Sequence, residues 1–386
     1  MAQLNPPVVV SASDAKKTET TTFLRSRVHS IDALRGFDMF FLMQEEPGFL
    51  LALFGAIRLP YRNVWMKELD HTGWIGFTFW DFIAPLFLFI VGLALPYALS
   101  RRVAQGESKK TLFLHILRRT VILIVLGLVF NGILQLNFAE FRYTGVLQRI
   151  ALSYFFAAII TLWCNVRGQV IWTAALLLGY WAMMAWIPVP GFGHGVLTPQ
   201  GNLAGYLDRL FLPGKFCCYI YGDNEGYLST IPSVATVTFG ALCGHLLGTD
   251  WSERKKLQWL VGGGVASITI GLLWGLWFPI ITRLWTSSYT VFANGWAMLI
   301  FALFYWIIDV KGNRKWAFPF EAIGLNSITI YVIQNIFNFL CVAAVFVGGL
   351  ANHVGPYREL LLAGSILAVK WLFIYFLYRQ KIFLKV

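Results

Sequence analysis

After a polar opening, the chain alternates long apolar runs with shorter polar connections. The runs are about as long as the 20-residue helix needed to cross a bilayer. They fall near 31–57, 76–100, 113–136, 144–164, 169–187, 228–249, 257–281, 289–308, 319–349 and 360–379. The pattern predicts an all-α, polytopic membrane bundle of about ten transmembrane helices, or eleven if one long run splits. Two runs are irregular: Glu45, Glu46 and Pro47 interrupt the first, while Glu321 and several Asn punctuate the ninth. Residues 1–26 are rich in Ser, Thr and Lys and lack the apolar core of a signal peptide. They read as a disordered cytoplasmic tail ahead of a membrane domain at 27–386.

Composition supports the same class. The 386 residues are 58% hydrophobic and 13% charged, against about 25% charged in a soluble domain. Soluble globular and disordered classes are therefore excluded. A net charge of +12 would suit nucleic acid in a soluble protein. In a membrane protein such charge gathers on cytoplasmic loops, so the expected partner is the lipid bilayer and no nucleic acid. With the tail inside, 20 Lys and Arg fall on inner segments and 8 on outer ones, and the alternation never breaks. Both termini are thus expected in the cytoplasm. Two outer segments are long, 58–75 and 188–227, and loops of such length usually carry function. No internal repeat is evident, which weighs against the commonest transporter architectures.

Cysteine usage predicts little. Cys164, Cys243 and Cys341 lie in apolar runs, and adjacent Cys217 and Cys218 do not suit an ordinary disulfide with each other. Neither Cys nor His shows metal-ligand spacing, so no metal is expected.

Ionisable groups inside apolar runs are costly and serve as functional candidates. Asp32, Arg35 and Asp38 recur every three residues at the start of the first run. They form either a self-neutralising interfacial group or, with Arg27, an anion site at the cytoplasmic mouth. Asp81, Arg149 and Glu321 lie within other runs, where mutual pairing of opposite charges is the plainer reading. Lys370 is read as snorkelling to the interface. His71 follows Asp70 and sits just outside the second run, with Asp81 about ten residues inward.

An ordered set of motifs gives these residues a context. RVHSIDALRGF at 27–37 and DHTGWIGFTFWDFIAPLFLFIVG at 70–92 resemble the heparan-α-glucosaminide N-acetyltransferase family. So do GVLQRIALSY at 145–154, NLAGYLDRLFL at 202–212, DNEGYLSTI at 223–231, LWTSSY at 284–289, DVKG at 309–312 and GLNSITIYV at 324–332. The likeness covers nearly the whole chain after the tail and is strongest to bacterial, NagX-like members. It implies a multipass enzyme of the bacterial inner membrane. Such an enzyme moves acetyl from cytosolic acetyl-coenzyme A, its cosubstrate, to the free amine of a glucosamine-type sugar or glycan on the periplasmic side. The family's active-site histidine falls on His71. An Asn of the lysosomal enzyme falls on Glu46, a departure that leaves the amine to be oriented by charge. The Asn of the family's NSI motif falls on Asn326. The lysosomal relatives are dimeric, so a homodimer is an expectation of the resemblance alone.

The implied chemistry assigns further roles. The donor's phosphates meet Arg35 and Arg27, near Asp32 and Arg149, and its pantetheine arm threads between helices. A histidine with pKa near about 6.5 accepts the amine's proton, with Asp70 or Asp81 fixing its tautomer. His71 acts either as a general base in a ternary complex or as a transient acetyl carrier. Asn326 or a backbone N–H meets the oxyanion. Trp74, Glu45, Tyr206, Asp208, Asp223 and Glu225 are candidates for the acceptor site. The competing class is an amino-sugar transporter of the inner membrane using the same buried charges; a lapsed scaffold is the third.

Overall fold

The computed structural model describes residues 27–44, 48–57 and 62–383. Among these, α1 (His29–Leu42), α2 (Phe49–Ala56) and α3 (Arg62–Glu68) precede the first long helix, α4 (Phe79–Ala104). Then follow α5 (Lys109–Phe130), α6 (Val146–Trp163), α7 (Val166–Trp186), α8 (Leu203–Phe211), α9 (Thr230–Leu247) and α10 (Glu253–Gly275). The chain finishes with α11 (Ser287–Tyr305), α12 (Phe318–Leu325), α13 (Ser327–Ile336), α14 (Phe339–Ala351) and α15 (Arg358–Arg379). The described sheet is one antiparallel pair, β1 (Cys218–Tyr219) with β2 (Gly222–Asp223). This is an all-α polytopic membrane protein.

Among the described residues, eight helices are long and apolar enough to cross a bilayer: α4, α5, α6, α7, α9, α10, α11 with its short continuation, and α15. They coincide with eight of the ten expected runs. The two irregular runs are the ones that break. The first gives α1, which ends at Leu42, and α2, which starts at Phe49. The ninth becomes three helices, with α12 and α13 meeting at 62° where Asn326 leaves helical geometry.

A helix broken at membrane depth needs protein partners for the backbone groups it frees. Gln334 Nε2 donates to the Leu42 carbonyl at 3.1 Å. Lys370 Nζ donates to the Met43 carbonyl at 2.8 Å and to Gln334 Oε1 at 3.3 Å. Lys370 therefore does not snorkel. It is fully buried, because the carbonyls at the end of α1 need a donor there.

Helices α4, α9 and α11 form the buried centre, while α5, α7, α10 and α15 expose most of their surface. Small hydroxyls join α6 and α7 to the central α9: Ser153 to Ser233 at 2.6 Å and Thr173 to Thr238 at 2.8 Å. α1 lies directly against α12. A Cβ on Gly36 would come within 1.7 Å of the Phe320 carbonyl oxygen, and one on Gly324 within 2.0 Å of that of Asp32. Only glycine permits this approach, and it seats Arg35 beside the broken span.

The bundle has two distinct ends. At the tail end, Asp309 after α11 accepts the N–H groups of His29 at 3.2 Å and Ser30 at 3.1 Å, so it caps α1. At the loop end lie the starts of α4, α6, α9 and α11 and the 188–227 segment. Cys217 and Cys218 form a disulfide there, contrary to the reading of adjacent cysteines as unsuited to it. The left-handed backbone at Cys218, with φ of 79°, departs from an ordinary extended strand at this point.

Candidate active site

The start of α4 builds the first part of the site. Thr78 and Asp81 form a capping box, a local arrangement that satisfies the free N–H groups of a helix N-terminus. Asp81 Oδ2 accepts the backbone N–H of Thr72 at 3.2 Å and of Thr78 at 3.2 Å, and lies 3.0 Å from Thr78 Oγ1. Its other oxygen, Oδ1, is 2.8 Å from His71 Nδ1. The Asp81 side chain is almost wholly buried while that of His71 is 54% exposed. A buried carboxylate with this many donors is held rigidly. A carboxylate at this distance favours the tautomer with the proton on Nδ1, in which the neutral ring carries its lone pair on Nε2.

Asp70 takes a different part. Its carboxylate accepts the His71 backbone N–H at 2.7 Å, and its carbonyl accepts Thr78 Oγ1 at 2.7 Å. Of the two acids considered for the ring, Asp81 is the one in contact with it, and Asp70 shapes the turn.

Trp74 ties this turn to the long loop. Its indole N–H donates to the Leu197 carbonyl at 2.8 Å, and its ring meets that of Tyr219 edge-on at 5.3 Å. The loop itself is clamped. Arg142 donates to Asp223 through Nε at 2.8 Å and Nη2 at 2.6 Å, and also pairs with Glu225. Burial pushes the Asp223 carboxyl up, but the Arg142 hydrogen bonds and charge outweigh it and leave the group below the ordinary carboxylate range. Asp208, buried on α8, accepts the N–H groups of Asp223 at 3.1 Å and Tyr227 at 3.2 Å. Burial raises its pKa to about 6, against the pull of those two bonds. Tyr206 packs in the apolar cluster beneath the loop. The carboxylates of Asp208 and Asp223 are thus committed within the protein, whereas Glu225 reaches a cavity.

That cavity has a volume of about 290 Å³ and runs through the bundle beside α4. Its α4 wall extends from Ala84 to Ala98, about 21 Å at the helical rise of 1.5 Å per residue. Arg35 and Arg119 line its tail-end half, and Arg149, Glu225 and Trp285 its loop end; most of the remaining wall is apolar. Arg35 lies 3.7 Å from Asp32, and Asp32 is held from outside by Arg27 at 2.7 Å. Asp38 is fully buried, with neither carboxylate oxygen hydrogen-bonded among the described residues. Arg119 stacks over the Tyr154 ring at 4.4 Å, and its Nε has no partner among the described residues.

Arg149 donates to Ser229 Oγ and lies over the Trp285 ring at 4.6 Å. Trp285 meets Tyr289 edge-on at 5.5 Å, and the Tyr289 hydroxyl donates to the Asp81 carbonyl at 2.7 Å. The loop end of the cavity is therefore packed continuously against the residue that holds His71. Asn326, at the α12–α13 break, is buried with both amide atoms unpartnered among the described residues. It precedes Ser327, which lines the cavity. Glu45 and Glu46 lie outside the described residues.

Arg119 is not among the residues the sequence singles out; it counts there only as one of the 20 basic residues of the inner segments. The available signal was the start of α5 at Lys109, which carries Arg119 about three turns into the helix.

Residues 27–272 match the catalytic region of heparan-alpha-glucosaminide N-acetyltransferase. The chain is 27% identical to the mouse protein named heparan-alpha-glucosaminide N-acetyltransferase, over 95% of this chain and 62% of that one. Identity to the human protein of the same name is also 27%, over 94% of this chain and 60% of that one. The chain thus spans about three fifths of the length of these curated relatives.

Proposed function

Because the chain belongs to the heparan-α-glucosaminide N-acetyltransferase family, we propose that it carries acetyl from acetyl-coenzyme A through the membrane to the amine of a glucosamine-type sugar. The observation that carries this reading is the cavity. It holds two guanidinium groups in its tail-end half and ends among residues packed against the partner of His71. The reading places the chain in a bacterial inner membrane with the tail end towards the cytoplasm.

Arg35 and Arg119 hold the anionic head of the donor, with Arg27 and Asp32 bordering the mouth. The pantetheine arm lies along α4, and Asn326 meets one of its amides midway. The thioester then sits at the loop end. There the sugar amine attacks the thioester carbon directly, a C–N bond forms, the C–S bond breaks and the thiolate departs. His71 Nε2 takes the proton the amine must lose, and Asp81 stabilises the imidazolium that results. Glu225, on the cavity wall, attracts the acceptor's amine by charge, and the exposed side of His71 is its point of entry.

The test is acetyl transfer by purified protein with labelled acetyl-coenzyme A and glucosamine, wild type beside His71→Ala. Label on the sugar with wild type alone, with coenzyme A binding kept in both, supports the reading. A variant that turns over normally removes His71 from it.

A further inference from the structure

Arg149 combines features that a purely structural arginine does not need. It is 4% exposed and sits in a membrane span, where an ionised group is expensive. A packing residue in such a place normally has its donors matched by acceptors. Among the described residues it forms no ion pair within 4.0 Å; the nearby acids Asp223 and Glu225 pair with Arg142 instead. Its Nε is buried with no hydrogen-bond partner. What holds it is one hydroxyl and one aromatic face, Ser229 and Trp285. These fix the plane of the guanidinium without using up its five N–H donors.

The position is as informative as the pairing. Arg149 is in the first turn of α6 and lines the loop end of the cavity. The chain of contacts from it through Trp285 and Tyr289 reaches the residue that orients His71. We infer that Arg149 is a further catalytic residue, donating to the oxyanion that forms on the thioester carbonyl oxygen during attack. This rests on the acetyl-transfer reading above. When the amine adds, the C=O pair moves onto oxygen. The guanidinium meets that charge; the pair returns as the C–S bond breaks, and the amine's proton has gone to His71. A preorganised donor in a dry site is well suited to such charge and contributes about 10²–10³ in rate. An arginine does so without titrating in any working range of pH.

The experiment compares wild type, Arg149→Gln, Arg149→Lys and Arg149→Ala for transfer from acetyl-coenzyme A to glucosamine, with coenzyme A affinity measured on each. The expected result for Arg149→Gln is a kcat lower by about 10²–10³, with coenzyme A affinity changed only a few-fold. Arg149→Lys should recover part of the rate. Millimolar guanidinium should raise the activity of Arg149→Ala and leave wild type unchanged, a response that a packing role would not give. Near-normal kcat in Arg149→Gln overturns the inference, as does a loss that follows donor affinity and ignores guanidinium. If wild type itself transfers no acetyl, the acetyl-transfer reading fails and takes this inference with it.

Discussion

His71 Nδ1 lies 2.8 Å from Asp81 Oδ1, joining a half-exposed ring to a carboxylate that is almost completely buried. The exposed partner can meet substrate, and the buried one cannot move. Asp81→Asn should therefore leave the ring in place with the wrong tautomer and lower kcat by about 10²–10⁴. Asp70→Asn, which touches only the backbone of His71, should cost less than about tenfold on the same scale. Steady-state kinetics of the two variants side by side check the assignment; equal losses would contradict it.

If Arg35 and Arg119 hold the donor as proposed, loss of either should weaken binding and spare chemistry. Arg35→Gln and Arg119→Gln each remove a charged hydrogen-bond donor, worth about 1.5–3 kcal/mol. Donor KM should rise about 10–100-fold with kcat nearly unchanged at saturation. Titration calorimetry with coenzyme A reads the same effect, which should shrink as ionic strength rises.

The loop clamp makes a stability prediction. Arg142→Gln leaves buried Asp223 without its bidentate partner, and such a loss costs about 3–5 kcal/mol. Thermal unfolding in detergent should show a marked drop, and protease should cut within 188–227. Adding Asp223→Asn should recover part of the stability, because the stranded charge is gone.

Asp208 makes a pH prediction. Its folded pKa, pushed by burial to about 6, stands above the ordinary value of 3.8. Between these values the folded state binds more protons than the unfolded one, so this group's contribution to stability falls as pH rises. The stability advantage of wild type over Asp208→Asn should accordingly narrow from about pH 4 to 6 and stay level above about 7. Melting temperatures across that range read it directly; a gap that widens with pH would contradict the sign.

Much of this was legible in the residues. Apolar run lengths locate the eight unbroken spans because a bilayer sets a minimum helix length. The Asn punctuation of the ninth run marks a break at Asn326, whereas the interruption expected at Glu45, Glu46 and Pro47 lies outside the described residues. Other features depend on contacts remote in sequence. Asp70 is adjacent to His71 and Asp81 is ten residues on, yet the capping turn brings the distant acid to the ring. Lys370 resembles any snorkelling lysine until α1 is seen to end beside it. Asp208, Asp223 and Glu225 are all loop-end acids in the sequence. Only the fold separates the two held by Arg142 and backbone N–H groups from the one that also borders the cavity. The Cys217–Cys218 bridge depends on a left-handed turn at Cys218 that composition does not announce.

In the proposed function, donor and acceptor meet from opposite sides of the membrane through the cavity along α4. The most direct measurement uses sealed proteoliposomes of known protein orientation, with labelled acetyl-coenzyme A on one side and glucosamine on the other. Labelled N-acetylglucosamine should form when the donor is at the tail end and the acceptor at the loop end. None should form when the two are exchanged or when His71→Ala replaces wild type. Transfer that requires donor and acceptor on the same side would contradict it.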